Sequence, residues 1–208
     1  MNNYLKHPFI LSLSGANGSG KTNLIKYIIK SFVLCEKLNI IVIFSNTGGF
    51  TDDFKFLDEL NNIKYFIINP VFYEDAIKKI LDIQRKKAQS GGASKCFIIF
   101  DDILGAAKDS KILKVLISQN RHFNLSVIFS VQHINQAATY LREISNYDII
   151  FELKTSNSLK ACYENYFACD YKNFNDFKFA MNKLLKKYHF LFADKATGEK
   201  KIMIAPLT

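Results

Sequence analysis

The stretch Phe9-Ile10-Leu11-Ser12-Leu13-Ser14-Gly15-Ala16-Asn17-Gly18-Ser19-Gly20-Lys21-Thr22 decides the fold. Its first six residues form a short apolar run of the kind that makes a buried strand. Its last eight fit G-x-x-x-x-G-K-[ST] at every defined position. Behind them Leu24, Ile25, Ile28, Ile29, Phe32 and Val33 recur at i, i+3/i+4 spacing, the pattern of a helix with one buried face. Strand, glycine loop, helix is the order that phosphate binding requires. The glycines let backbone N–H groups converge on phosphate oxygens, and the helix N-terminus adds its partial positive charge. Gly15, Ala16, Asn17, Gly18, Ser19, Gly20, Lys21 and Thr22 are therefore expected to cradle ATP or another nucleoside triphosphate. Lys21 would reach the β/γ-phosphates, and the Thr22 hydroxyl would hold Mg²⁺.

Working outward, Ile40–Phe44, Tyr65–Ile68, Cys96–Phe100, Leu125–Ser130 and Ile149–Leu153 are further apolar runs. Amphipathic helical patterns separate them, at about Ala76–Lys87, Ile112–Arg121 and Ile134–Ile144. Continuous apolar strands alternating with such helices predict a mainly parallel sheet covered on both faces, an α/β fold. Ser45–Gly49 is expected to be a loop, and Gln89–Ser94 is the one stretch that looks like a flexible linker. Beyond Lys154 the pattern changes. Helices around Leu159–Phe167 and Phe174–Lys187 precede two strands, Tyr188–Ala193 and Lys201–Ala205, joined by Asp194–Glu199. That last pair reads as a hairpin on the sheet edge. One domain over residues 1–208 is expected, with the helical and hairpin elaboration from about residue 155.

The chain has 208 residues, 49% of them hydrophobic, and a formal charge of +9. The charge points to a polyanionic partner, with nucleic acid ahead of membrane, although a basic surface that is merely solvated has the same balance. No apolar run approaches the ~18 residues of a membrane span, and the N-terminus lacks the length and cleavage-type end of a signal peptide. Cys35, Cys96, Cys162 and Cys169 form no C-x-x-C pair, and the four histidines have no metal-ligand spacing.

Asp101 and Asp102 close the Cys96–Phe100 strand, which suits a Walker B element. The first carboxylate would orient a Mg²⁺-bound water, and the second would take a proton from the attacking water. An Asp pair at a strand end could instead cap the next helix. Gln132 lies just past the carboxyl end of the Leu125–Ser130 strand, where a side-chain amide can position the attacking water and sense the γ-phosphate. It could equally be an ordinary loop glutamine. Arg121 precedes that strand, so roughly 20 Å separates it from the carboxyl edge of its own sheet. It is placed to serve a neighbouring subunit's nucleotide, or else to sit as a charge at a helix C-terminus.

The set GANGSGKT, CFIIFDD, QNRHFNLSVIFSVQH and FLFAD resembles the viral genome-packaging ATPases of the FtsK–HerA superfamily, the poxvirus type found in large DNA viruses, virophages and some archaeal icosahedral viruses. The likeness runs from about Phe9 to Ala193. It implies a RecA-like P-loop core with strand order 5-1-4-3-2 and ATP-driven movement of double-stranded DNA into a capsid. It also implies a homo-oligomeric ring, usually a hexamer, and work in the host cytoplasm or viral factory. By the same resemblance Lys21 and Thr22 match the Walker A pair, Asp101 and Asp102 the Walker B acids, Gln132 the sensor glutamine and Arg121 the arginine finger. Many cellular relatives carry Glu at the position of Asp102.

Other P-loop classes are less well matched. A nucleoside or nucleotide kinase usually closes an arginine-rich lid over the phosphates. The only candidate lid here, Gln89–Ser94, is small and polar, with Arg85, Lys86 and Lys87 just before it. A GTP switch needs N-K-x-D, and Asn182-Lys183-Leu184-Leu185 lacks the Asp. A motor acting on another polymer stays open. DNA contacts without sequence reading call for mobile basic side chains. The candidates are Arg85, Lys86, Lys87, Lys186 and Lys187, any of which could be simply solvated. Docking to a capsid vertex or membrane protein would have to use the domain's own surface.

Overall fold

The computed structural model describes residues 4–36, 38–46, 52–60, 63–102, 110–134 and 139–206. Eight strands form a single sheet: β1 (Ile10–Ser14), β2 (Ile40–Ser45), β3 (Lys64–Ile68), β4 (Cys96–Asp101), β5 (Leu125–Val131), β6 (Tyr147–Phe151), β7 (His189–Asp194) and β8 (Lys200–Ile204). Their order is β3-β2-β4-β5-β1-β6-β7-β8. The first six run parallel; β7 and β8 pair antiparallel at the end, so the C-terminal hairpin extends the sheet. The segment β6-β1-β5-β4-β2 is the expected 5-1-4-3-2 order, and β3 adds one strand outside it.

The central parallel strands β1, β2, β4, β5 and β6 are mostly apolar and buried because both faces are covered. On one face α1 (Lys21–Glu36) lays Leu24, Ile25, Ile28, Ile29 and Phe32 against Leu11, Leu13, Ile43, Phe97 and Ile99. On the other, α2 (Tyr73–Gln89), α3 (Lys111–Ser118) and α4 (Thr139–Ile144) cover Val42, Phe44, Ile98, Phe100, Val127 and Phe129. The period-two alternation along β4 sends Phe97 and Ile99 one way and Ile98 and Phe100 the other. Phe44, Phe100 and Phe129 are register partners on adjacent strands, and their rings stack at 5.0 and 5.3 Å. Each such buried ring contributes about 1.5–3 kcal/mol from burial, which pins the register of the three strands whose ends carry the site. Helices α5 (Ser156–Cys162), continued by a π-helical turn over Tyr163–Phe167, and α6 (Phe174–Leu184) form a third cluster with Ile150 and Leu191.

Two local elements differ from the sequence reading, and one is not anticipated by it. Gln89–Ser94 is a held turn. The buried Gln84 amide donates to Ser94 O at 2.6 Å and Phe123 O at 2.9 Å, and the Lys87 amine donates to Ser94 Oγ at 2.7 Å. Gly91, at φ 111°, makes the reversal. Helix α3 stops at Ser118, and turns over 119–124 lead into β5. A 3₁₀ helix at Asp52–Glu59 buries Phe54 and Leu57, three apart as that helix's period requires. Of the expected Ser45–Gly49 loop, residues 47–49 lie outside the described residues, as does 135–138 of the helix expected from Ile134. Among the described residues no helix is long and apolar enough to cross a membrane.

Candidate active site

Because β1, β4 and β5 are parallel neighbours, their carboxyl ends share one edge of the sheet. The glycine loop leaves β1 there, Asp101 and Asp102 leave β4, and Gln132 leaves β5. Open α/β sheets bind ligands at this edge.

The loop is anchored where it starts, with Gly15 N donating to Val131 O at 3.2 Å. A Cβ on Gly15 would lie 2.6 Å from Phe151 Cβ and 2.9 Å from Ser19 Oγ, so glycine is required here by space. Gly18 and Gly20 have φ of 73° and 106°, where glycine is required by conformation. Lys21 opens α1, and its amine donates to Gly15 O at 2.6 Å and Ala16 O at 3.1 Å, folding back across the loop. Burial lowers its pKa, against the pull of Asp102 and Asp101, which raise it. No acidic residue occupies the first turn of α1, so the positive end of that helix faces the loop uncompensated. Ser19 Oγ is buried with no hydrogen-bond partner among the described residues. A hydroxyl in that position is suited to a phosphate oxygen.

Opposite the loop, burial pushes the Asp101 carboxyl above its ordinary value, while the Ser130 hydroxyl and the Lys21 amine work the other way. Its β5 partner in the ladder is Ser130. Asp102 adopts φ 55° as the chain leaves β4, and its N–H donates to Ser130 O at 2.9 Å. A left-handed Asp is uncommon but tolerable. The turn brings its carboxylate to the Gln132 amide, whose Nε2 donates to Asp102 Oδ2. Loop and carboxylates enclose an open cleft of about 420 Å³, lined by Asn17, Gly18, Gly20, Lys21, Thr22, Asn23, Asp53, Asp101, Asp102 and Tyr188. A glycine loop, a lysine and two carboxylates around one cleft, with the Gln132 amide on Asp102, form the layout of a P-loop ATPase.

A family model described as the Poxvirus A32 protein matches residues 1–165. The chain belongs to the Poxvirus A32 protein family. A relative within reach of this member is "Uncharacterized protein 075L" of Invertebrate iridescent virus 6, 28% identical over 190 residues that cover 89% of this chain and 70% of the relative. Among solved structures, the genome packaging NTPase B204 from Sulfolobus turreted icosahedral virus 2 in complex with ATP-gammaS is 22% identical, with a TM-score of 0.71 and full coverage of both chains. Its complex with AMP gives 0.73 at 21% identity, covering 98% of this chain and all of that one. The cytoplasmic domain of the Thermomonospora curvata type VII secretion ATPase EccC gives 0.63 at 12% identity, over 97% of this chain and 24% of that one. At these identities the likeness is one of fold.

In this A32-family chain Arg121 stands apart from the cleft. It is exposed, in the turn before β5, at the amino edge of the sheet. Seven residues of β5 at ~3.3 Å each place it about 23 Å from the carboxyl edge. Helix α3 ends three residues earlier, at Ser118, so Arg121 lies beyond it in the turns that lead into β5. The basic candidates for DNA divide between the two edges. Arg85, Lys86 and Lys87 end α2 beside Phe123, on the Arg121 edge. There Arg85 pairs with Asp82 at 3.1 Å and lies 5.8 Å from the Phe123 ring centroid. Lys186 and Lys187 precede β7, on the cleft edge. The five therefore form no single patch. Sequence reasoning missed Asp53 and Tyr188. Asp53, 3.7 Å from the Lys26 amine, follows a segment with no motif, and Tyr188 lies about 170 residues past the glycine loop. Only the sheet order brings them to the cleft.

Proposed function

We propose that this chain is an ATP-hydrolysing motor that moves double-stranded DNA into a viral capsid. The observation that carries the reading is the gathering of Lys21, Asp101, Asp102 and Gln132 at one sheet edge while Arg121 sits at the other. A bound triphosphate would draw the Lys21 amine off the Gly15 and Ala16 carbonyls and onto the β/γ-phosphate oxygens. Thr22 and Asp101 would hold Mg²⁺, whose chemistry is to neutralise charge on the β- and γ-phosphates. The Asp102–Gln132 pair fixes one carboxylate oxygen and leaves Oδ1 for a water. That water attacks the γ-phosphorus, its proton passes to Asp102, and the bond to the departing ADP oxygen breaks. Arg121 cannot reach this centre in its own subunit. It would enter a neighbour's, which makes a homo-oligomeric ring part of the mechanism, six-membered in the family that the chain resembles.

The charge of +9 suits a phosphate backbone gripped without sequence reading, and B204, of the same fold, is a genome packaging NTPase. A capsid vertex or membrane protein would be the docking partner, and the host cytoplasm or viral factory the place of work. The kinase reading loses its lid, because Gln89–Ser94 precedes β4 and lies on the edge away from the phosphates. ATP turnover with and without duplex DNA, with the mass of the assembled species, tests the proposal. Turnover should rise with DNA, and DNA binding should weaken with salt at a log–log slope near −0.9 per phosphate neutralised. No DNA stimulation together with a flat salt response would overturn it.

A further inference from the structure

The cleft has two ends. Asp101 and Asp102 mark one, on β4; Tyr188, just before β7, marks the other. In the order β4-β5-β1-β6-β7 the glycine loop lies midway between them. At ~4.8 Å per strand the two ends stand about 19 Å apart at the backbone, with side chains reaching inward from both. A triphosphate lying along the loop with its γ-phosphate toward the carboxylates must send its nucleoside the other way, toward Tyr188.

Tyr188 is held for that position. Its φ of 65° is a left-handed conformation that a bulky residue rarely adopts. Its carbonyl accepts from Ala205 N at 2.8 Å, which ties it to the strand end following β8. The edge of its ring meets the loop: Cδ1 lies 3.3 Å from where a Gly20 Cβ would stand. The Lys187 ammonium stands 5.0 Å from the ring centroid. Lys187 is exposed, so its side chain has room to swing off that face and admit a planar ligand.

We infer that the Tyr188 ring, with Lys187 at its margin, is the platform on which the base of the bound nucleotide stacks. This rests on the reading of the cleft as an ATP site. The C-terminal hairpin thereby becomes part of the nucleotide pocket, and nucleotide occupancy bears directly on the position of β7 and β8. Stacking on an aromatic ring is tolerant of base identity, so Tyr188 supplies affinity for a nucleoside over bare phosphate rather than strict choice of adenine.

Calorimetric titration of the full chain with Mg-ATP and with inorganic tripolyphosphate separates base from phosphate contacts. Tyr188→Leu, which keeps apolar packing on Gly20, should weaken ATP about tenfold or more while leaving tripolyphosphate unchanged, and Tyr188→Phe should bind both like the parent. The chain contains no tryptophan, so Tyr188→Trp places a single fluorophore in the pocket. Its emission should be changed by ATP and be indifferent to tripolyphosphate. ATP affinity unchanged in Tyr188→Leu, equal loss of both ligands, or a Tyr188→Trp emission blind to bound ATP would each overturn the inference. If Tyr188→Leu does not fold, the Tyr188→Trp signal decides alone. DNA-stimulated turnover is read separately, so a failed platform leaves the motor reading standing, and a failed motor leaves the platform measurable.

Discussion

Gly15→Ala is the substitution whose cost the geometry specifies most directly. Gly15 has no left-handed φ, so a methyl group there suffers no conformational penalty of its own. It would meet Phe151 Cβ at 2.6 Å and Ser19 Oγ at 2.9 Å, and the first of these is rigidly attached to the backbone of β6. No rotamer change relieves it, so the loop itself must lift from β6. Overpacking of this kind costs about 1–3 kcal/mol. For a chain of this length each kcal/mol lowers Tm by about 2–4 °C, so a fall of roughly 2–12 °C is expected. The lift also strains the Gly15 N–Val131 O bond and displaces the carbonyl that positions the Lys21 amine. ATP affinity should therefore fall at least about tenfold, since 1.4 kcal/mol suffices for that. Gly18→Ala is the control. Nothing lies within 4 Å of its Cβ position, and only the φ of 73° is penalised, at about 1–2 kcal/mol. Thermal melts and calorimetric ATP titrations of both variants are the assays. Gly15→Ala melting and binding ATP like the parent would refute the claim that the loop is seated against β6.

Lys21→Ala should abolish ATP turnover, and Asp102→Asn should retain nucleotide binding while losing most hydrolysis; near-normal turnover in Asp102→Asn would assign the base elsewhere. Arg121→Ala should bind ATP and hydrolyse little, since arginine fingers contribute about 10³–10⁵ in rate. Mixing it with Lys21→Ala should restore part of the activity, because some interfaces then pair an intact loop with an intact finger. Co-assembled mixtures that stay inactive would exclude action in trans. Away from the cleft, burial pushes the Asp148 carboxyl up, against the Lys195 amine 2.7 Å away. Lys195→Met leaves that carboxylate buried without the Lys195 charge, held only by neutral donors such as Ser145, a loss of up to about 3–5 kcal/mol at neutral pH. A carboxyl whose folded pKa is raised destabilises the fold once ionised, so this loss should shrink as pH falls toward the unfolded value near 3.9. Chemical denaturation at pH 7.5 and pH 5 measures it, and a loss independent of pH would rule out Asp148 as the cause.

The glycine loop, the alternation of apolar strands with amphipathic helices and the terminal hairpin were legible in the chain because their causes are local. Left-handed glycines, a 3.6-residue apolar period and a run apolar at every position leave the same mark on sequence wherever they occur. Lys21, Thr22, Asp101 and Asp102 could be named on that basis, and the edge position of Gln132 followed from counting along one strand. What tertiary structure alone decided is which strand ends lie side by side. The order β4-β5-β1-β6-β7 puts Gln132 on Asp102 and Tyr188 on Gly20, contacts about 30 and 170 residues apart in the chain. It also sends Arg85–Lys87 and Lys186–Lys187 to opposite edges, although all five look alike as basic residues at helix ends. Gln89–Ser94 has the composition of a free linker, and contacts from Gln84, Lys87 and Asn124, invisible in that composition, hold it as a turn. Pairing across a sheet is set by the burial of whole faces, a property of the assembled layers that no short window of sequence contains.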